Sequence, residues 1–173
     1  GALALKIPLH NGPSTLLQTP GSTRPKGLSI ETIDYGDTES LIINGKASAN
    51  ALVNFYLSDV FVGQASSNKQ GVWRLIPNKI IEPGIYTLRA DEVDKNGKVL
   101  ARVSMPFSRA EPVKDMQQKQ FIIVQPGNSL WRLAYRAYGK GLRYTTIFQA
   151  NKEQIKNPDL IYPGQVFAMP IDN

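Results

Sequence analysis

About fifty residues near the end of the chain, 121–170, carry the signals of a complete small fold and constrain the rest most. Residues 121–124 have the β-branched and aromatic composition of a strand, which Pro126-Gly127 ends in a turn. A helix is predicted next, with Ser129 or Asn128 as its N-cap. The apolar face of this helix consists of Leu130, Leu133, Ala134 and Tyr138. Gly139 and Gly141 are predicted to end it.

A second helix and a second strand follow in the same segment. Tyr144, Ile147 and Phe148 share one helical face, and Thr145 or Thr146 is the candidate N-cap. Two turn sequences then lead into residues 165–169, whose length suits a strand that pairs with the first. The predicted order of elements is therefore β-α-α-β.

These residues resemble a LysM domain from end to end. The resemblance rests on residues 124–134, Ile147 with Asn151, residues 157–165 and a closing Met169-Pro170. It implies a βααβ fold that binds N-acetylglucosamine polymers, above all bacterial peptidoglycan, without cleaving them. Where the family most often has Gly-Asp-Thr-Leu, residues 127–130 are Gly-Asn-Ser-Leu, which keeps the hydrogen-bonding capacity but loses the negative charge at the helix start.

The resemblance also implies a shallow groove between two loops. Turn backbone would bind the acetamido group and hydroxyls of a sugar, and small apolar side chains would receive its methyl group and ring face. Several of these residues also have a structural reason to be present, in a turn, a cap or the core. The predicted glycan-binding residues are Gly127, Asn128, Ser129, Leu130, Asn157, Pro158, Asp159, Leu160 and Ile161.

Two aromatic residues, Trp131 and Tyr135, lie one helical turn apart and off the main apolar face of the first helix. An exposed aromatic pair of this kind stacks on sugar rings in some proteins. More often it packs against a neighbouring loop or domain. The sequence leaves both interpretations open.

Residues 27–108 are predicted to form about seven short strands with turn signals near every ten residues, as in an antiparallel sandwich. The hairpin signal is clearest at Asn96-Gly97. Residues 83–90 resemble the tyrosine-corner strand of bacterial immunoglobulin-like domains, which usually space and present their neighbours. The predicted fold class is an α+β multidomain protein, an antiparallel immunoglobulin-like β-sandwich followed by a small βααβ LysM domain.

The remaining segments are interpreted as connections. Residues 1–26 are rich in Pro, Gly, Ser and Thr and are predicted to be an N-terminal arm or linker. Residues 109–120 are polar and aperiodic, which indicates a linker before the LysM domain at 121–171. The two domains are free to reorient unless an interface locks them.

Composition argues against an enzyme. The chain has no cysteine, and its single histidine, His10, lacks the partners that a catalytic triad or a zinc site needs. Asp91, Glu92 and Asp94 are interpreted as a solvated face, with weak Ca²⁺ binding as the alternative. Glycosidases need two carboxylates across a cleft, and the sequence predicts no such cleft. We therefore expect no enzymatic activity, no cofactor and no metal.

The formal net charge is +6, and +4 of it falls on residues 113–173. A basic surface suits anionic wall polymers, anionic lipid or nucleic acid, or is simply solvated. No apolar run approaches eighteen residues, so no membrane span is expected. The first residues lack both a methionine and a signal-peptide pattern, which indicates a fragment or a processed form.

The predicted function is non-catalytic binding of peptidoglycan in the periplasm or cell envelope. The immunoglobulin-like domain would act as a spacer or as a module that binds another protein. One alternative is an envelope scaffold that works mainly through that second protein. Another is binding of nucleic acid or a different anionic polymer by the basic C-terminal domain, which we do not expect to be the main role.

Overall fold

The computed structural model of the chain describes residues 5–6, 15–16, 27–36, 40–112 and 120–170. A short antiparallel pair, β1 (Leu5–Lys6) and β2 (Thr15–Leu16), lies in the predicted N-terminal arm. His10 and residues 113–119 of the predicted linker lie outside the described residues. In the described part of the chain, no helix is long and apolar enough to cross a membrane.

Residues 27–36 and 40–112, named the two-sheet unit below, contain antiparallel strands in two sheets. The strands are β3 (Ser29–Tyr35), β4 (Leu41–Lys46), β5 (Leu52–Leu57), β6 (Val60–Ser66), β7 (Val72–Leu75), β8 (Gly84–Val93) and β9 (Val99–Arg109). One sheet has the order β3-β4-β7 and the other the order β6-β5-β8-β9. Strand β3 is therefore an edge strand.

Both sheets contribute to one hydrophobic core. Along β5, the buried residues Val53, Phe55 and Leu57 alternate with more exposed ones, which is the period of a strand with one buried face. Phe55 contacts Trp73 of the other sheet, with ring centroids 4.8 Å apart. Burying each large apolar side chain is worth about 1.5–3 kcal/mol, so this shared core holds the sheets together.

The three acidic residues near the β8–β9 hairpin do not form the predicted solvated face. Asp91 and Glu92 are buried. Both oxygens of Asp91 accept hydrogen bonds from Arg102, at 2.7 and 2.9 Å, and Glu92 accepts from the backbone N–H of Ser48 at 3.2 Å. The pairing of β8 with β9 shifts after Glu92, so the inside-outside alternation breaks there. The solvated-face prediction is therefore wrong for two residues and leaves only Asp94, which lies in the turn.

Residues 120–170, named the βααβ unit below, contain the predicted order of elements. Its elements are β10 (Gln120–Ile123), α1 (Leu130–Tyr138), a 3₁₀ turn (Gly141–Arg143), α2 (Tyr144–Ala150) and β11 (Val166–Met169). Strands β10 and β11 pair antiparallel. A second hydrophobic core, which includes Leu133, Ile147 and Phe167, lies between the helices and this hairpin.

The ends of α1 follow from local sequence. The Ser129 hydroxyl accepts a hydrogen bond from a first-turn backbone N–H at 3.2 Å, and Gly139 takes the left-handed conformation, with φ of 68°, that ends the helix. The second helix is present, but its predicted N-cap is wrong, because Thr145 and Thr146 lie inside α2. The 3₁₀ turn runs directly into α2, and no side chain caps it.

The two units are joined by hydrogen bonds across the edge of β3. The side-chain amide of Gln125 accepts from the backbone N–H of Ile33 at 2.8 Å and donates to the Ile33 carbonyl, also at 2.8 Å. These are the bonds that an additional strand would make to an exposed sheet edge. The backbone N–H of Ser108 also donates to the Pro163 carbonyl at 2.9 Å.

Gly164 lies at the closest approach of the two units. It is buried, its φ is +92°, and a Cβ atom there would collide with the Ser108 carbonyl and the Phe107 ring. Its own carbonyl accepts a hydrogen bond from the Tyr35 hydroxyl at 2.6 Å. Only glycine fits this position, since both the backbone conformation and the space exclude a side chain.

Candidate functional site

A cleft of about 300 Å³ lies in the βααβ unit, where the start of α1 meets the loop before β11. It is a local feature, because all of its lining residues belong to this unit. They include six of the predicted glycan-binding residues and two others. The lining residues are Asn128, Ser129, Leu130, Trp131, Tyr144, Pro158, Asp159 and Ile161.

The wall at the start of α1 is fixed by its own hydrogen bonds. The backbone N–H of Asn128 donates to the Gln125 carbonyl at 3.0 Å, and the Asn128 side-chain oxygen accepts from the Gln125 N–H at 3.2 Å. Arg132 donates from Nη1 to the Gly127 carbonyl at 2.9 Å. A loop held in this way loses little conformational entropy when it binds a ligand.

The wall before β11 is a turn that the Asn157 side chain stabilises. Its Oδ1 accepts from the backbone N–H of Asp159 at 2.9 Å, and its carbonyl accepts from Leu160 N–H at 3.0 Å. Pro158 is half-buried in the turn, and Asp159 is exposed. The turn therefore presents a carboxylate at the cleft beside a rigid ring.

Two aromatic residues of the cleft, Trp131 and Tyr144, are absent from the predicted set. Trp131 is 51% exposed, and its ring stacks on Tyr135 with centroids 5.3 Å apart and planes within 4°. The sequence did indicate that Trp131 is exposed, because it lies off the apolar face of α1. Tyr144 shares the apolar face of α2, so the sequence pattern could not separate a cleft role from a core role.

Four of the predicted glycan-binding residues either belong mainly to the core or lie outside this cleft. Leu130 lines the cleft but is only 2% exposed, so it belongs mainly to the core. Gly127 lies in the exposed turn before α1 and does not line the cleft. Asn157 and Leu160 line a different cleft, between the βααβ unit and the two-sheet unit.

The cleft carries little charge. Asp159 is the only one of its eight lining residues with a formal charge at neutral pH. The nearby cations of α1, Arg132 and Arg136, do not line it. Burial, and secondly the charge of Arg132, lower the pKa of Arg136, but an arginine stays protonated at physiological pH. A neutral ligand rich in hydroxyl and amide groups suits this surface better than a polyanion.

Comparisons with known proteins bear on the C-terminal part of the chain. The LysM domain model matches residues 122–170. A curated relative, the potassium binding protein Kbp of Escherichia coli O6:H1, is 45% identical over 51 residues, which cover 30% of this chain and 34% of the relative. The chain thus spans about a third of that relative's length. No solved structure matches this chain. Residues 122–170 therefore form a LysM domain within the chain.

Proposed function

We propose that this chain is a non-catalytic peptidoglycan-binding protein of the bacterial cell envelope. The observation that carries the proposal is the cleft of the βααβ unit, where both loops predicted to bind glycan meet. Its lining combines turn backbone, aromatic rings and one carboxylate, which is a suitable surface for an N-acetylated sugar.

In this proposal the cleft binds the sugar through non-covalent contacts and cleaves no bond. Backbone groups of the two turns and the side chains of Asn128 and Asp159 bind the acetamido group and the hydroxyls. Ile161 receives the apolar methyl group. The sugar packs on the exposed part of Trp131, whose ring also stacks on Tyr135 and contacts Gly141. One shallow cleft buries little area, so binding to a single chain is weak and retention on a wall depends on several copies.

The two-sheet unit is proposed to be an immunoglobulin-like module that spaces the LysM domain or binds another protein. The division of its strands between two antiparallel sheets with one core supports this. So does Tyr86, near the start of β8, whose hydroxyl donates to the Glu82 carbonyl at 2.9 Å. A bond from a tyrosine to the backbone a few residues upstream is the tyrosine corner of such folds.

The test is an NMR titration of the whole chain with chitin oligomers. We expect chemical-shift changes in residues 127–131 and 157–161. Asp159→Asn keeps the shape of the turn and should weaken binding about three- to tenfold, the range for one lost charge-assisted hydrogen bond. Lys140→Ala, which replaces an exposed cation outside the cleft, is the matched control.

Two further arms separate the alternatives. Binding to DNA that collapses between low and high salt, without binding to sacculi, would favour the anionic-polymer alternative. Because the relative is named a potassium binding protein, each titration is run in sodium and in potassium buffer. Unchanged spectra at both loops with every glycan would refute the proposed function.

A further inference from the structure

A larger cleft, of about 640 Å³, lies between the two units. It includes Asn157 and Leu160 of the predicted site, but half of its lining residues lie outside the LysM match. Its walls come from the end of β9 and the start of β8 on one side, and from residues 153–166 on the other. The volume is within the range of small-molecule and peptide sites, which often form at domain interfaces.

The shape of this interunit cleft is set by the bonds that join the units. Gln125 holds β3 through both backbone groups of Ile33, and Tyr35 holds Gly164. Ser108, which lines the cleft, donates its backbone N–H to Pro163. A cleft whose walls are hydrogen bonded to each other is preorganised for a ligand.

The charges of the interunit cleft differ from those of the 300 Å³ cleft in the βααβ unit, named the glycan cleft below after its proposed ligand. The interunit cleft presents a cation at Lys156 and anions at Glu111 and Glu153, whereas the Arg109 guanidinium is buried, lies over the Tyr35 ring and donates to the Ala110 carbonyl. Within the described residues, Lys156 and Glu153 form no ion pair, so both charges are open to a ligand. A neutral sugar chain needs no such set of charges, and the two carboxylates would repel a nucleic-acid backbone.

Apolar surface is present beside these charges. Ile85 of the two-sheet unit is 69% exposed and Leu160 of the βααβ unit is 53% exposed, and both line the interunit cleft. Charges of both signs beside aliphatic side chains fit a short peptide with free carboxylate and amino groups.

One loop connects this cleft to the glycan cleft. Asn157 and Leu160 line the interunit cleft, whereas Pro158, Asp159 and Ile161 line the glycan cleft. If the glycan cleft holds a sugar chain, a substituent on that chain therefore has to pass only this loop to reach the interunit cleft. Peptidoglycan carries such substituents, because short peptides with free carboxylate and amino groups branch from its sugar chain.

We propose that the interunit cleft binds the peptide arm of peptidoglycan while the glycan cleft holds the sugar. This inference rests on the proposed function and adds a second contact to it. Lys156 binds a carboxylate of the arm, Glu153 binds its amino group, and Ile85 and Leu160 pack on its aliphatic parts. The whole protein then distinguishes peptidoglycan from chitin, which has no peptide.

The experiment compares two ligands on the whole chain by isothermal titration calorimetry. One is a glycan fragment of peptidoglycan with its peptides. The other is the same fragment after an amidase has removed them and the carboxylate left on each sugar has been converted to a neutral methylamide. We expect the peptide-bearing fragment to bind about fivefold more tightly, a gain that one or two exposed charge contacts can supply.

The variants test both walls separately. Lys156→Ala on the βααβ unit and Ile85→Ser on the two-sheet unit should each abolish the fivefold difference without changing affinity for the peptide-free fragment. Lys152→Ala, an exposed lysine that lines neither cleft, should keep the difference. A circular-dichroism spectrum like that of the wild type shows that each variant is folded.

Three outcomes would contradict the inference. Equal affinity of the wild type for both fragments overturns the peptide site but leaves glycan binding intact. Retention of the difference in both Lys156→Ala and Ile85→Ser overturns the location. Failure of both fragments to bind the wild type overturns the proposed function together with the inference.

Discussion

The two clefts share one loop but depend on different parts of the chain. The glycan cleft is built within the βααβ unit, from residues 128–161, and carries one formal charge. The interunit cleft exists only where the two units meet and carries charges of both signs. Local turns alone therefore shape the first cleft, whereas the second depends on how the two units dock.

Gln125→Ala should separate the two clefts most strongly. The substitution leaves the N–H and C=O groups of Ile33, which is fully buried, without their partner. Each buried group left unpaired costs about 1–3 kcal/mol, so the loss of both partners should lower the free energy of unfolding by about 2–6 kcal/mol in urea titrations. Gln149→Ala, at an exposed glutamine of α2, is the control and should change it little.

The same variant tests which cleft depends on docking. Gln125→Ala should abolish the preference for the peptide-bearing fragment while chitin-oligomer binding persists in the folded protein. If the stability loss matches that of Gln149→Ala, the bonds to Ile33 do not hold the units together.

Gly164→Ala should have the next largest effect. The new methyl group would collide with the Ser108 carbonyl and the Phe107 ring, and the residue would have to keep φ at +92°. Overpacking and the unfavourable conformation together should lower the free energy of unfolding by about 2–3 kcal/mol. Gly139→Ala has a similar φ, +68°, with nothing within 4 Å of the added atom, and should cost only about 1 kcal/mol. Equal losses in the two variants would show that the contact between units is not tight.

Tyr35→Phe should have a smaller effect that depends on pH. The variant loses the 2.6 Å bond to the Gly164 carbonyl and the 3.2 Å bond accepted from Ala110 N–H, which should cost about 1–2 kcal/mol at neutral pH. Burial raises the pKa of Tyr35 above its ordinary value of 10.0, although nearby groups partly oppose this. The unfolded chain therefore loses this proton first as the pH rises, and the folded state loses stability above about pH 10.

Denaturant titrations between pH 7 and 11 would check the sign of this effect. The stability of the wild type should fall with a steeper slope above pH 10 than that of Tyr35→Phe, and the two curves should converge. Parallel curves would mean that the Tyr35 hydroxyl is not buried at the contact between units.

The positions of the residues that line the glycan cleft follow largely from local sequence signals. Ser129 caps α1 and Gly139 ends it, as their positions before and after the apolar face indicated. The turn at Asn157 also follows from a side chain that bonds two residues ahead. Tyr144 was missed as a cleft residue because its helical face is the same as that of the core.

The interunit cleft was not predictable because its bonds join distant residues. Gln125 and Ile33 are 92 positions apart, and nothing near either residue indicates the other. Asp91 shows the same limit on a smaller scale, since its burial depends on Arg102 and on a pairing shift that ordinary alternation does not reveal. Sequence patterns describe which face of an element is apolar, but not which polar groups two folded units bring together.

Ionic strength should give the smallest effect and the most direct comparison of the two clefts. Chitin-oligomer affinity should change less than about twofold between 0.05 and 0.5 M NaCl, because the glycan cleft has one formal charge and the ligand none. The additional affinity for the peptide-bearing fragment should fall by about threefold, since exposed charge contacts are screened over this range. Calorimetric titrations of both ligands at each salt concentration measure the two changes, with Lys156→Ala as the control that should remove only the second. A salt-independent preference for the peptide would mean that Ile85 and Leu160, and not the charged residues, hold the arm in the interunit cleft.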